Sequence, residues 1–292
     1  MSKPLLPDPR LHAYRADLAA NRLRGLVEAE RFVTGEPRQV VAASLPLRRE
    51  PRFDSTLDTE ALKGETVTLY AEGEGWAWVQ IDRDRYVGYM PSDGLSPKII
   101  APTHKIAALR SYVYSEPDGK SPTLDLLSLN AFITARAEEG RFRALEGGGY
   151  VVACHTLPVG EMADDPVGIA ETFVGTPYLW GGRTSIGLDC SGLVQLAAEA
   201  AGLSAPRDAD MQAAELGEPV SWRDGAELSR GDLVFWDGHV GIMTSGTQLL
   251  HANAHHMAVE LEPFVAAKER IKQAGYEVIG VRRLPRIRQP LR

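Results

Sequence analysis

Cysteine is almost absent: the 292-residue chain has two, Cys154 and Cys190. Two thiols cannot build the disulfide framework that staples small secreted domains. A thiol kept reduced for chemistry leaves the other without a partner, so Cys154 is expected to be a buried apolar residue. No stretch approaches the ~18 consecutive apolar residues of a membrane span, and no membrane partner is expected. Positive charge is also short, with 32 Lys and Arg against 39 Asp and Glu and a net charge of −7. With no basic face carrying interleaved aromatics, no nucleic acid partner is expected either. The run RRLPRIRQPLR at 282–292 is basic, but reads as a short solvated tail. The opening segment MSKPLLPDPRLHAYRADLAANRLRGLVEAERFV lacks the apolar run of about 7–15 residues that directs export. The expectation is a cytoplasmic protein.

What is present is an ordinary globular composition, 44% hydrophobic and 24% charged. The length exceeds one ordinary domain and predicts two or three.

The most informative segment is TPYLWGGRTSIGLDCSGLVQLAAEAAG at 176–202. A Gly-rich, turn-prone run ends at Asp189-Cys190-Ser191, and an apolar-periodic segment follows at once. Leu193, Val194, Leu196, Ala197 and Ala200 fall at helical spacing, which places the thiol at or near a helix N-terminus. Unpaired N–H groups and the positive end of the helix dipole favour a thiolate there. That setting is expected to lower a thiol pKa from its ordinary value of about 8.5. The flanking glycines and polar residues argue against burial, so Cys190 reads as a nucleophile.

A nucleophilic Cys needs a base, and the base needs an orienting group. The run RGDLVFWDGHVGIMTSGTQLLHAN at 230–253 reads as a β-meander, with strands predicted over 233–236, 239–244 and 248–252. His239 and His251 fall on consecutive strands of one hairpin. Opposing residue numbers in an antiparallel pair have a constant sum. A two-residue turn at Ser245-Gly246 gives 491 and puts the histidines on opposite faces, whereas a three-residue loop gives 490 or 492 and makes them direct or diagonal same-face neighbours. Function requires the odd loop. One imidazole then accepts the thiol proton and the other fixes its tautomer.

This order resembles the NlpC-type peptidases, papain-like cysteine enzymes that cut bacterial cell-wall peptides. The residues that carry the resemblance are PYLWGG (177–182), LDCSGLVQ (188–195), PRDADMQ (206–212), RGDLVFW (230–236), GHVGI (238–242) and LLHAN (249–253). The resemblance implies that Cys190 is the nucleophile, His239 the general base and His251 the orienting residue. It places Tyr178 beside the thiol, polarising the oxyanion site, and Asp189 and Ser191 along the pocket for the substrate's N-terminal end. Trp180 reads equally as a subsite wall or as packing, and Asp208 and Gln212 as turn and cap residues.

Upstream lies an internal repeat. Glu50-Pro51 matches Glu116-Pro117 at an offset of 66, Leu57-Asp58 matches Leu124-Asp125 at 67, and Tyr86-Val87 matches Tyr150-Val151 at 64. Short alternating runs at 66–70 with 76–81, and at 131–135 with 141–145, recur between Glu/Gly turns. Two small all-β barrels are expected. They resemble the bacterial SH3-like modules found upstream of NlpC-type domains, on Gly75-Trp76-Ala77-Trp78-Val79 and Tyr86-Val87-Gly88-Tyr89. At the offset of 66, Glu65 aligns with Ala131, so only the first copy joins an acid to aromatics. In peptidases of this type that recycle murein peptides, a Glu and a Tyr of that module hold the substrate's free α-amine. The matching segments KGETV and RYVGYM point to Glu65 and Tyr86, with Tyr89 in reserve.

The expected fold class is α+β. It comprises a helical arm over 1–37, SH3-like domains over 38–97 and 98–160, and a papain-like NlpC-type domain over 161–292 in which the Cys-bearing helix packs on an antiparallel sheet. The resemblance implies hydrolysis of the γ-D-Glu–diamino acid bond in free murein peptides, L-Ala-γ-D-Glu-diamino acid, with no metal or organic cofactor. Rival readings are an exported wall hydrolase, a thiol acyltransferase or amidase on the same scaffold, and a non-catalytic wall-binding protein. A metal site at His251, His255 and His256 is the outlying alternative.

Overall fold

The computed structural model describes residues 6–223 and 227–285. The chain divides into two compact units: one reaches Ile106 and includes Ser111–Leu127 and Ala131–Thr156, and the other takes Ala107–Arg110, Ser128–Asn130 and the chain from Leu157 onward.

The first unit contains a seven-stranded antiparallel sheet. Its order is Leu57–Leu62, Ser44–Arg48, Val87–Pro91, Trp76–Ile81, Thr66–Gly73, Glu36–Val40, Leu95–Ser96. Strands alternate as a half-buried sheet must, with Leu45 and Leu47 inward on Ser44–Arg48. Trp76–Ile81 breaks the pattern because all six residues are buried. The cause is the N-terminal segment, which covers the outer face: Ala13, Leu18, Ala19, Ala20 and Leu23 cluster on Trp78, and Gln80 Nε2 donates to the Leu11 carbonyl at 2.7 Å. That segment is not the helical arm expected from its spacing. Leu18–Ala20 pairs in parallel with Arg31–Val33 around a 3₁₀ turn at Asn21–Leu23. Three consecutive buried residues need cover on both faces, which an extended chain supplies and a surface helix does not. Arg15 closes the cluster, its guanidinium 4.2 Å from the Trp78 ring centroid.

Residues 104–158 form a five-stranded sheet ordered Thr123–Ser128, Arg110–Tyr114, Tyr150–Val152, Phe142–Leu145, Ala135–Glu139, and a three-stranded one ordered Phe132–Ile133, His104–Ile106, Thr156–Pro158. Arg110–Tyr114 and Thr123–Ser128 stand 66 residues after Ser44–Arg48 and Leu57–Leu62 and occupy the same places in the strand order. The sequence offset is therefore a topological repeat. Cys154 is exposed, not the buried residue expected, because it falls in the 3₁₀ turn Ala153–His155 at the end of a strand.

The second unit holds a six-stranded antiparallel sheet ordered Glu218–Pro219, Gly280–Arg283, Asp232–Trp236, His239–Met243, Gln248–Asn253, Ala258–Pro263. The helix Cys190–Ala200 packs on its central strands, with every residue but Glu199 buried. The helix Phe264–Gln273 closes a core of Val234, Trp236, Met243, Leu249 and Val281. The basic run at 282–292 is not simply a solvated tail. Arg283 forks onto the fully buried Asp232 at 2.6 and 2.9 Å, and Arg282 donates to the carbonyls of Ala213, Leu216 and Gly217. The rest of that run, from residue 286, lies outside the described residues. Among the described residues no helix is long and apolar enough to cross a membrane.

The start of the Cys190 helix is crowded by backbone. A Cβ on Gly192 would stand 2.5 Å from the Gly182 carbonyl oxygen and 3.1 Å from Asp189 Oδ1. Alanine gains about 1 kcal/mol over glycine inside a helix, but overpacking against immobile backbone costs about 1–3 kcal/mol. Crowding wins, so Gly192→Ala is expected to lower the melting temperature. An unchanged or raised value would show that the chain at Gly182 yields.

Candidate active site

Asp189 makes the helix start. It occupies the N-cap position and its Oδ1 accepts from the Gly192 N–H at 2.8 Å, while Oδ2 accepts from Gly181 N–H at 2.9 Å. Its charge is met by Arg207, fully buried, which forks onto both oxygens at 2.9 and 2.7 Å and donates to Ser191 Oγ at 2.9 Å. Gln212 Nε2 bridges the Ser191 and Pro206 carbonyls at 2.9 and 2.8 Å, tying the next helix to the same turn. Asp189 and Ser191, expected along a substrate pocket, are thus buried members of the frame beneath the thiol. Gln212 belongs to that frame too, and is not a cap; Asp208 holds the N-cap position of Ala209–Glu215.

Cys190 is the first residue of the helix, as its spacing predicts, but it is buried. Burial pushes its thiol up, to about 12, and the Asp189 carboxylate adds to the rise; the Val240 and Ser191 N–H groups and the Arg207 guanidinium pull the other way. The helix terminus alone predicts a lowered value, but desolvation overrides it. The Val240 N–H also places the sulfur at the start of the His239–Met243 strand, one residue from His239. Tyr178 lies near enough to Cys190 for the two charges to interact. Its hydroxyl is pushed upward by burial and by the negative charge of Cys190 and Asp189, so it keeps its proton as a donor.

The hairpin takes the odd loop. Ile242 pairs with Leu250 and Met243 with Leu249, a sum of 492, and Thr244 N–H donates to the Gln248 carbonyl at 2.9 Å across Ser245-Gly246-Thr247. His239 and His251 are therefore diagonal neighbours on one face, and His239 Nε2 lies 2.8 Å from His251 Nδ1. His251 Nε2 lies 2.7 Å from Glu262 Oε1, and Arg270 donates to the same oxygen. Burial pushes His239 down to about 3, with His251 and Arg270 adding to the effect and Glu262 opposing it. His251 is lowered, chiefly by burial, against the pull of Glu262. A cleft of about 300 Å³ opens beside the two rings, with Tyr178, Asp237, Arg270 and Tyr276 among its walls.

The remaining expected residues lie elsewhere. Trp180 is 62% exposed. Glu65 is buried in the first unit and ion-paired with Arg83; Tyr86 is buried there too. Tyr89 accepts from Arg15 Nη1 at 2.8 Å. His255 and His256 stack edge-on at 4.6 Å and His256 pairs with Asn253, and among the described residues no group of three or more His, Cys, Asp or Glu is placed to hold a metal ion. Two functional residues escaped the sequence reading. Arg207 lies inside the PRDADMQ segment with no pattern marking it as the partner of Asp189. Glu262 was accessible from the alternation of AVELEP, which continues the meander one strand beyond His251.

Residues 175–273 match the NlpC/P60 family, and residues 47–95 match the bacterial dipeptidyl-peptidase SH3 domain. Residues 175–273 form an NlpC/P60 domain. The chain is 29% identical over 230 residues to the gamma-D-glutamyl-L-lysine dipeptidyl-peptidase of Bacillus subtilis, covering 71% of this chain and 76% of that one. It is 28% identical over 238 residues to dipeptidyl-peptidase 6 of Lysinibacillus sphaericus, covering 73% and 86%. An NlpC/P60 family protein of Bacillus cereus, known from its crystal structure, superposes with a TM-score of 0.69 at 22% identity, over 86% of this chain and all of that one. That likeness speaks for the fold. With its thiol at a helix start and a pair of hydrogen-bonded imidazoles, the NlpC/P60 domain makes the chain a cysteine peptidase.

Raised thiol and lowered imidazole together favour a neutral resting pair, so the proton moves as the carbonyl is attacked. At neutral pH the thiolate fraction is then below that of an ordinary thiol, and it grows as pH rises. In a Cys154→Ser background, alkylation by iodoacetamide is expected to accelerate continuously from pH 6 to about 9. A rate flat across that window would reveal a preformed thiolate–imidazolium pair and contradict the neutral state.

Proposed function

We propose that the chain hydrolyses the bond between γ-D-Glu and the L-centre of a diamino acid in free murein peptides. The observation that carries the reading is the hydrogen-bonded pair of His239 and His251, with His239 on the strand whose Val240 N–H meets the Cys190 sulfur, within an NlpC/P60 domain, in a chain whose relatives are named dipeptidyl-peptidases. Cys190 Sγ attacks the γ-carbonyl while His239 takes the thiol proton. The C–N bond breaks, His239 returns the proton to the departing amine, and the acyl group stays on sulfur. Water, deprotonated by His239, cleaves the thioester and releases L-Ala-γ-D-Glu. The Tyr178 hydroxyl and an N–H at the helix start face the developing oxyanion. Trp180 is assigned to a subsite wall.

We read the strand repeat as two SH3-like barrels, the first bearing the residues that select a free α-amine, Glu65 and Tyr86. Glu65 is paired with Arg83, so its substitution also bears on stability, and the melting temperature of each variant is needed to isolate a loss of substrate binding. A peptide with an unblocked amine arises only after an amidase has detached it from glycan, which fits recycling in the cytoplasm.

Hydrolysis of free and N-acetylated L-Ala-γ-D-Glu-meso-diaminopimelate is compared by the mass of the dipeptide released. Acetylation removes the ammonium and one charge-assisted hydrogen bond worth about 1.5–3 kcal/mol, so it is expected to lower kcat/KM by roughly one to two orders of magnitude. Glu65→Gln, with its melting temperature checked, is expected to lose a similar factor on the free peptide. Equal rates on the two peptides would overturn the free-amine reading and favour a hydrolase acting on intact wall.

A further inference from the structure

We infer that Glu262, clamped by Arg270, is a positioning residue that dictates which nitrogen of His239 accepts the Cys190 proton. The inference rests on geometry across three strands. His251 pairs with Glu260 and Leu249 with Glu262, so Glu262 is diagonal to His251 on one face, as His251 is to His239. The three side chains step across adjacent strands with contacts of 2.8 and 2.7 Å.

Proton bookkeeping then leaves one arrangement. Burial pushes the Glu262 carboxyl up, but the hydrogen bonds from His251 and Arg270 outweigh it and hold it down at about 2, so it is an acceptor only. The His251 Nε2 facing it therefore carries the hydrogen. A neutral His251 has one N–H, which leaves Nδ1 bare and obliges His239 Nε2 to donate to it. His239 is left with Nδ1 as its single lone pair, and that nitrogen is the base. Without the carboxylate, His251 is free to take the opposite tautomer, with Nδ1–H donating to His239 Nε2. His239 then carries its hydrogen on Nδ1 and has nothing to offer the thiol. Arg270, on the helix that follows directly, fixes the carboxyl by donating to the same Oε1 that His251 uses. Neither residue is needed to touch substrate.

The inference depends on the peptidase chemistry and not on the identity of the peptide. Its primary test needs no substrate. In ¹⁵N-histidine-labelled full-length protein at neutral pH, with signals assigned through His239→Asn and His251→Asn, both rings are expected as Nε2–H tautomers. Glu262→Gln keeps a carbonyl acceptor and is expected to preserve both tautomers. Glu262→Leu is expected to give mixed tautomers. On the free peptide, Glu262→Leu should lower kcat by about 100-fold, part of the ~10²–10⁴ that a positioned base supplies, with KM nearly unchanged. Glu262→Gln should recover most of that loss. A His239 carrying its hydrogen on Nδ1 in the wild-type protein overturns the inference whether or not any variant folds. So does a Glu262→Leu protein with wild-type tautomers and kcat.

Discussion

The buried ion pair between Asp189 and Arg207 is the constraint on which the rest of the site depends. One carboxylate closes the helix that carries the nucleophile, accepts from the Gly-rich segment at Gly181, and binds the guanidinium that also holds Ser191. Removing one partner of such a pair strands a charge in low dielectric, which costs about 3–5 kcal/mol. The two charges also act on the thiol in opposite senses, Asp189 disfavouring the thiolate and Arg207 favouring it. Asp189 is the stronger of the two and Arg207 opposes it, while burial, the largest effect, keeps the thiol protonated until a base removes the proton.

That base comes from the other half of the unit, and its placement is a matter of register. Had the loop after Met243 been two residues long, every side chain of the next strand would have changed face and His251 would have pointed away. The three-residue loop at Ser245-Gly246-Thr247 puts His251 within 2.8 Å of His239, and the same diagonal step in the next strand brings Glu262 to His251. A β-meander thus builds a line of hydrogen bonds from carboxylate to imidazole to imidazole. The helix delivers the sulfur to the end of that line, at Val240.

The legible parts of this protein were those with a local code. The helix start at Cys190, the same-face histidines and the repeat of strands at an offset of 66 all follow from spacing within a few dozen residues. Polar groups were misplaced where no period or repeat marks the partner, even one only 18 residues away. Asp189 reads as a free carboxylate until Arg207 is seen to occupy it, and nothing in the sequence marks Arg83 as the ion-pair partner of Glu65. Burial was misjudged at both cysteines, because neighbouring residue types do not report what packs above them: Cys190 is covered and Cys154 is not. The N-terminal arm failed for a related reason. Its apolar residues answer to Trp78, a residue about sixty positions away, and not to a helical period of their own.

The central claim is that Cys190 carries the acyl group. Free L-Ala-γ-D-Glu-meso-diaminopimelate is mixed with the protein, quenched in acid within the first turnovers, and the digest is weighed by mass spectrometry. The account predicts an L-Ala-γ-D-Glu thioester on the peptide containing Cys190, and neither adduct nor dipeptide from Cys190→Ala. Dipeptide released by Cys190→Ala, or an adduct on any other residue, would contradict it.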